Sequence, residues 1–287
     1  MDSSDFAPLF TKSVPHILEE IFFSLDYNSF KTCKGVCNTW NELLTSKSFI
    51  MNGKSVFRQD ILGELYHASE DGNLKEVRSI ISSGMADVNG IWGAHAATPL
   101  GVASLNGHKV VVQLLMDRGA EANKANILGQ TPLRLAASQS HKDVVQLLLD
   151  RGADLHKACD SGFTPIYKAV SKGHTDMVQL LLDRGAEPNE ADNHGLTPLH
   201  IAAIKGHRDV VKVLLQGGAE PNQAAIQLRG WTPLHFASYH GHKDMVQHLL
   251  IRGANPNILT MLGSTPLSFA LYNGHTAIVK ILQDGGA

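Results

Sequence analysis

From residue 98 onward, short apolar segments recur in pairs, and every pair has the same internal order. The second segment of each pair places its apolar residues at intervals of one, three and four, which lines them along one face of an α-helix. In one copy these residues are Val210, Val211, Leu214 and Leu215. The pattern predicts two short helices in each copy.

Each copy opens on Thr-Pro-Leu or, once, Thr-Pro-Ile. The opening threonines are 33, 33, 33, 35 and 33 residues apart, at Thr98, Thr131, Thr164, Thr197, Thr232 and Thr265. The Thr hydroxyl can cap the first backbone N–H groups of a helix, and the Pro that follows needs no hydrogen bond there. Glycines such as Gly206 and Gly217 end the two helices of a copy. Polar residues between copies fit a projecting loop.

This period and the signature Thr-Pro-Leu-His-x-Ala, present at residues 197–202 and 232–237, resemble the ankyrin repeat. The resemblance covers residues 63–287 and implies an all-α solenoid of stacked helix pairs that carry β-hairpin-like fingers. A unit this small cannot bury its own apolar face, so we expect it to stack on its neighbours in an elongated, curved assembly.

Seven repeats are expected, with atypical units at both ends. In the first, Gly63 stands where the others have Thr, and Gly72 aligns with Gly107. In the last, Gln283 replaces an apolar residue, which suits a polar cap. The finger that contains residues 223–229 is two residues longer than its neighbours. Residues 51–62 are expected to form a short linker to the segment that precedes the repeats.

Residues 1–10 form a polar tail, and residues 11–50 carry two apolar helical patterns separated by a break at 26–29. A segment of this size cannot bury so many apolar groups alone, so it should lie against a partner. Its Val14-Pro15 opening, its Ile21-Phe22-x-x-Leu25 run and its Val36-Cys37-x-x-Trp40-x-x-Leu43 run resemble an F-box, from which Val14 departs because the family has Leu. An N-terminal helical hairpin that only caps the solenoid is the alternative.

The F-box resemblance implies a surface that docks a Skp-family adaptor. Its residues are Pro15, Ile17, Leu18, Ile21, Phe22, Leu25, Val36, Trp40 and Leu43.

Composition excludes several classes of function. With 43% hydrophobic and 18% charged residues and a net charge of -2, the chain is typical of a soluble folded protein without the basic field that attracts nucleic acid or anionic lipid. No apolar run approaches the ~20 residues of a membrane span, and the N-terminus does not resemble a signal peptide. We therefore expect a cytoplasmic or nuclear protein whose three cysteines stay reduced.

The fifteen histidines raise the question of metal or acid–base chemistry. Six of them stand ten residues after each Thr, at His108, His141, His174, His207, His242 and His275. A repeated position indicates a repeated structural role, such as a hydrogen bond across the turn. Cys33 and Cys37 could form half of a zinc site but lack a second ligand pair. We expect no metal, cofactor, catalytic residue or small-molecule substrate.

Positions that vary between repeats are the candidates for recognition, because folding explains the repeated ones. In ankyrin proteins the residue before each Thr and the last residues of the first helix face a concave groove. Large apolar groups there indicate an interaction surface. The predicted target-binding residues are Phe163, Leu196, Trp231 and Tyr239, with Lys168, Lys172 and Lys205, which favour an acidic or C-terminal segment. The alternative is that Phe163, Leu196 and Trp231 only pack finger against finger.

An F-box followed by such a solenoid resembles the substrate receptor of an SCF-type cullin–RING ubiquitin ligase. The resemblance implies binding to the adaptor and cullin scaffold at one end and to a target protein in the groove. A plain ankyrin scaffold or inhibitor is the alternative, and an enzyme is the third class. Asn189 and Asn222 resemble ankyrin sites of an asparaginyl hydroxylase, although a structural hydrogen bond would also explain them.

Overall fold

The structure, a computed structural model, describes residues 54–287, with side chains from residue 61. The predicted tail, the F-box segment and all nine adaptor-docking residues lie outside the described residues.

The described chain contains fourteen α-helices and no β-strand. They follow one another as seven pairs, in agreement with the expected all-α repeat fold. The helices are α1 Lys54–Glu70, α2 Leu74–Ser82, α3 Pro99–Leu105, α4 Lys109–Asp117, α5 Pro132–Ser138, α6 Lys142–Asp150, α7 Pro165–Ser171, α8 Thr175–Asp183, α9 Pro198–Lys205, α10 Arg208–Gln216, α11 Pro233–Tyr239, α12 Lys243–Ile251, α13 Pro266–Tyr272 and α14 Thr276–Asp284.

The Thr-Pro dipeptide begins the first helix of pairs two to seven, as predicted. The hydroxyl oxygen of Thr98 accepts a hydrogen bond of 3.0 Å from the Gly101 backbone N–H, and the Thr131 hydroxyl accepts one of 3.2 Å from Arg134. Thr164, Thr197 and Thr265 make the same cap. The Pro residue occupies the first turn in each case.

The pairs stack in two layers. First helices pack on first helices of the next pair at all six junctions, and second helices pack on second helices at five of them, α6 with α8 being the exception. The Leu or Ile two residues after the opening Thr is at most 1% exposed at Leu100, Leu133, Ile166, Leu199 and Leu234. Burial of each such side chain contributes roughly 1.5 to 3 kcal/mol, and the neighbouring pair supplies much of the cover.

The six repeated histidines have a structural role, but it differs from the expected one. They make no cap at their own helix. Instead, five of the rings reach the preceding pair. Nε2 of His108 lies 2.8 Å from the Glu70 carbonyl oxygen, and His141 lies 3.0 Å from that of Leu105. His174, His242 and His275 repeat the bond. These histidines therefore join consecutive pairs.

The turn between the two helices of a pair leaves room for these rings. A Cβ added at Gly107, whose φ is +77°, would lie 2.5 Å from Nδ1 of His141. The third pair has Ser140 at this position, with φ of 63°. This serine is held in a left-handed conformation that favours glycine.

The first pair corrects two expectations. Helix α1 begins at Lys54, so the predicted linker 51–62 is helical from that residue and its boundary falls inside a helix. Gly63 is not a substitute for the capping Thr. It lies mid-helix beneath an indole ring, where a Cβ would be 2.8 Å from Cζ2 of Trp92.

The fingers are tighter than β-hairpins. In four of them the N–H five residues before Thr donates to the carbonyl just before Thr, as in Asp192 to Leu196 at 2.9 Å. The other two close on isolated bridges, Trp92 with Ala97 and Ala225 with Trp231. The long finger adds a 3₁₀ turn at Ile226–Leu228, where the two extra residues were expected.

Two buried histidines of the Thr-Pro-Leu-His signature, His200 and His235, each join the start of their own first helix to the finger of the next repeat. Nδ1 of His200 accepts from the Thr197 backbone N–H at 3.1 Å, and Nε2–H donates to the Trp231 carbonyl at 3.2 Å. His235 repeats this between Thr232 and Ser264. Burial lowers the pKa of each ring from 6.5 to about 4, so both are neutral at pH 7.

Replacement of Ser140 by Gly should stabilise the protein by about 1 kcal/mol, because it removes a non-glycine residue from a left-handed conformation. Urea denaturation at pH 7 measures the change. The reciprocal variant Gly107→Ser places a Cβ against His141 and should destabilise by at least as much. A loss of stability in Ser140→Gly would contradict the assignment.

Acidification should destabilise the fold through His200 and His235. The unfolded chain binds protons first as pH falls from about 6.5 to about 4, so the free energy of unfolding decreases through that window, by on the order of 1 to 3 kcal/mol per histidine. Above pH 6.5 the contribution is constant. Urea denaturation of the variant His200→Gln/His235→Gln should show a smaller loss, whereas His67→Gln, an exposed histidine, should match the wild type. Equal losses in all three proteins would disprove the role.

Candidate target-binding groove

The exposed side of the first-helix layer and the bases of the fingers form one face, which we call the groove face. It carries the residue before each opening Thr and the last residues of each first helix. All seven predicted target-binding residues occupy these elements, but the structure separates them by burial.

Leu196 belongs to the core. Its side chain is 9% exposed, and its backbone N–H donates to Oδ1 of Asp192 at 2.9 Å, which closes the finger. The burial of Leu196 in the core agrees with the packing alternative for this residue rather than with a role in target binding. Phe163 and Trp231 are half-buried against the same core. Of the four apolar residues, only Tyr239 is exposed, at 39%.

Trp231 is the centre of an aromatic cluster. Its ring lies 4.3 Å from Phe269, 4.8 Å from Phe236 and 5.5 Å from Tyr239, measured between centroids. Sequence reasoning missed the two phenylalanines. Both stand four residues after Thr, a position that also varies between repeats, so the same comparison could have found them.

A second cluster is cationic. Lys168 is half-buried, and its pKa is lowered by burial and by the charges of Arg134 and Lys172. Lys205 lies apart, where it contributes to the lowered pKa of His240 after burial and the neighbouring His242 and His275. None of the three predicted lysines forms an ion pair with a carboxylate in the described part of the chain. Arg134 was not predicted, although a charged residue three positions after Thr is unusual among the repeats.

Beside these cations a buried polar pair closes the next finger. The hydroxyl of Tyr167 donates to Oδ2 of Asp192 at 2.7 Å. Burial, followed by this hydrogen bond and the charge of Asp192, raises the pKa of Tyr167 above its ordinary value. Phe163 stacks on the Tyr167 ring at 4.6 Å. This part of the face is therefore held rigidly.

The two predicted modification sites lie in a ladder of asparagines that joins consecutive loops. Asn189 donates to the Gly218 carbonyl at 3.0 Å and accepts from the Glu220 N–H at 2.8 Å. Asn222 makes the equivalent bonds to Gly253 and Asn255. The geometry supports the structural explanation, and hydroxylation at either residue stays a prediction.

Within residues 54–287, no three His, Cys, Asp or Glu side chains converge on a point that could hold a metal ion. None of the described helices is both long and apolar enough to cross a bilayer.

Trp231→Ala should destabilise the protein by about 2 to 4 kcal/mol, because the ring packs on Phe236 and Phe269. Tyr239→Ala removes an exposed ring and should change stability by less than about 1 kcal/mol. Thermal unfolding followed by circular dichroism compares the two. If both variants unfold at the temperature of the wild type, the aromatic cluster contributes nothing to stacking.

Three copies of the family model for ankyrin repeats match residues 65–159, 152–225 and 223–287. No curated protein matches the chain. The matched spans run continuously over the helix pairs described above and over more than half of the sequence. The chain belongs to the ankyrin-repeat family.

Proposed function

We propose that this protein is the substrate-recognition subunit of an SCF-type ubiquitin ligase, with the groove face as the surface that holds the target. Ankyrin repeats are protein-interaction modules, and a role in protein–protein interaction follows from the family. The observation that supports the groove face is its exposed Tyr239, set on a packed aromatic cluster, with Lys205 near the adjacent His240. Exposed Tyr and Trp side chains are among the residues that carry most of the binding energy in protein interfaces.

The proposed link to ubiquitin depends on the F-box resemblance of residues 11–50. Its apolar helical faces would dock the Skp-family adaptor and, through it, the cullin scaffold. The protein then performs no chemistry itself, because it acts by raising the local concentration of target lysines near the charged conjugating enzyme. Such a ligase subunit would work in the cytoplasm or nucleus.

A scaffold or inhibitor unconnected to ubiquitin is the second candidate. It uses the same groove face, and it differs only in what residues 11–50 bind. The family match, which begins at residue 65, applies equally to both candidates. The decisive measurement is therefore made on the N-terminal segment.

The variant Ile21→Ala/Phe22→Ala should lose the adaptor while the solenoid stays folded. Removal of two large apolar side chains from an interface weakens binding by about 3 to 6 kcal/mol, which is roughly 10²- to 10⁴-fold. Affinity purification of the full chain, with quantitative mass spectrometry of adaptor and cullin, measures the effect.

Two control chains make this experiment specific. Tyr239→Ala/Lys205→Gln changes the groove face and should keep adaptor and cullin but lose target proteins. Lys142→Gln, which removes an exposed ion pair with Asp176 on the second-helix layer, should behave as the wild type. Adaptor recovery that is undiminished in Ile21→Ala/Phe22→Ala, or absent from the wild type, would favour the scaffold.

A further inference from the structure

In the fourth, fifth and sixth repeats, the third residue after the opening Thr reaches the finger of the next repeat. Tyr167 reaches Asp192, which stands five residues before the next Thr. His200 and His235 reach the finger carbonyls of Trp231 and Ser264. In the third repeat this position is Arg134, and the residue five before the next Thr is Cys159. By the same register, Arg134 is directed towards the finger that contains Cys159.

Arg134 is buried without a partner. The residue is only 4% exposed, and its Nε has no hydrogen-bond partner. Among the described residues its guanidinium makes no ion pair with any carboxylate. Burial lowers the pKa of the group, which remains a cation. A buried, uncompensated charge destabilises a fold, and proteins ordinarily pair such charges.

The surroundings of Arg134 strengthen the positive field. Lys168 is half-buried on α7, which packs against α5, the helix that carries Arg134. After burial, the charges of Arg134 and of the exposed Lys172 lower the pKa of Lys168. Three cations thus lie together on the groove face at the junction of the third and fourth repeats. Tyr167 donates to the carboxylate of Asp192 within the chain. At the equivalent position of the preceding finger the chain has the thiol of Cys159, so Arg134 has no carboxylate there.

We propose that Arg134 is the anchor for an acidic segment of the target protein, with a Glu or Asp side chain of that segment on its guanidinium and further acidic residues on Lys168 and Lys172. The proposal rests on the proposed function, because it assigns the chemistry of the segment that the groove face holds. A guanidinium presents a planar fork that fits a carboxylate in a bidentate manner. Because the cations are spread over two helices, an acidic run matches them better than a single terminal carboxylate.

A phage-displayed library of random dodecapeptides, selected on the immobilised full chain, tests the proposal. Acidic residues should be enriched at one or more positions. A synthetic selected peptide should lose at least 10-fold in affinity when its Glu or Asp is replaced by Gln or Asn, and the loss should shrink to less than 2-fold in Arg134→Met. Fluorescence polarisation at two salt concentrations measures the affinities, and high salt should weaken only the acidic peptide.

The melting temperature of a variant shows whether Arg134 is a target-binding anchor or a residue that supports the fold. Arg134→Met removes the uncompensated charge and keeps the apolar volume, so its melting temperature should rise by about 2 to 8 °C. A fall in melting temperature would show that Arg134 supports the fold and would overturn the proposal.

Cys159→Asp gives an independent test with Arg134 still present. It places a carboxylate within the chain where Asp192 stands in the next repeat, so acidic peptides should lose affinity as they do in Arg134→Met. Cys159→Ser is the matched control and should bind as the wild type. Arg151→Gln, on the second-helix layer, should also leave binding unchanged.

The outcomes distinguish this inference from the proposed function. Two results would overturn the role of Arg134 and leave the groove face as a binding surface. Either the selected peptides show no enrichment of acidic residues, or replacement of their Glu or Asp by Gln or Asn costs as much affinity in Arg134→Met as in the wild type. If the wild type selects no peptide, both the anchor and the groove face as a site for linear target segments are wrong.

Discussion

Each helix pair is too small to bury its own apolar face, and the rest of the structure follows from that constraint. The first helix of the next pair supplies much of the cover over Leu100 and its equivalents. The histidine rings then satisfy carbonyls at the C-terminal ends of the preceding first helices, where a helix leaves acceptors without intrahelical partners. The repeated positions are therefore needed for the contacts between helix pairs. Recognition is left to the positions that vary.

Sequence reasoning succeeded where one residue acts through local geometry. The Thr caps, the left-handed Gly206 and the polar Gln283 follow from short-range rules, and the structure confirms them. It failed where the outcome depends on a distant residue. Gly63 is beneath Trp92, Leu196 is buried by the tight finger, and the buried Arg134 has an Nε without a partner. The spacing of the repeats alone does not show which side chain of the next repeat contacts a given position.

The residues of the groove face differ in how much they contribute to stability and how much to recognition. Trp231 is half-buried and exposes only part of its ring, so one residue holds two repeats together and still offers an apolar surface. Tyr239 extends this surface with little folding role. Arg134 represents the opposite case, because its charge opposes folding while it offers a ligand a strong, directional contact. Residues of these three kinds respond differently to the same truncation, so stability must be measured beside binding.

The junction of the third and fourth repeats departs from the common pattern in three places. Ser140 replaces the glycine beside a histidine, and Arg134 has no acidic partner. His156 interrupts the asparagine ladder formed by Asn123, Asn189 and Asn222. The exposed ion pairs that cross this junction, Lys142 with Asp176 and Arg184 with Asp150, contribute little. In a solenoid held by nearest-neighbour contacts, opening is easiest at the weakest junction. The cationic cluster lies at the junction of the third and fourth repeats, so an acidic segment bound across it would also hold the two halves together.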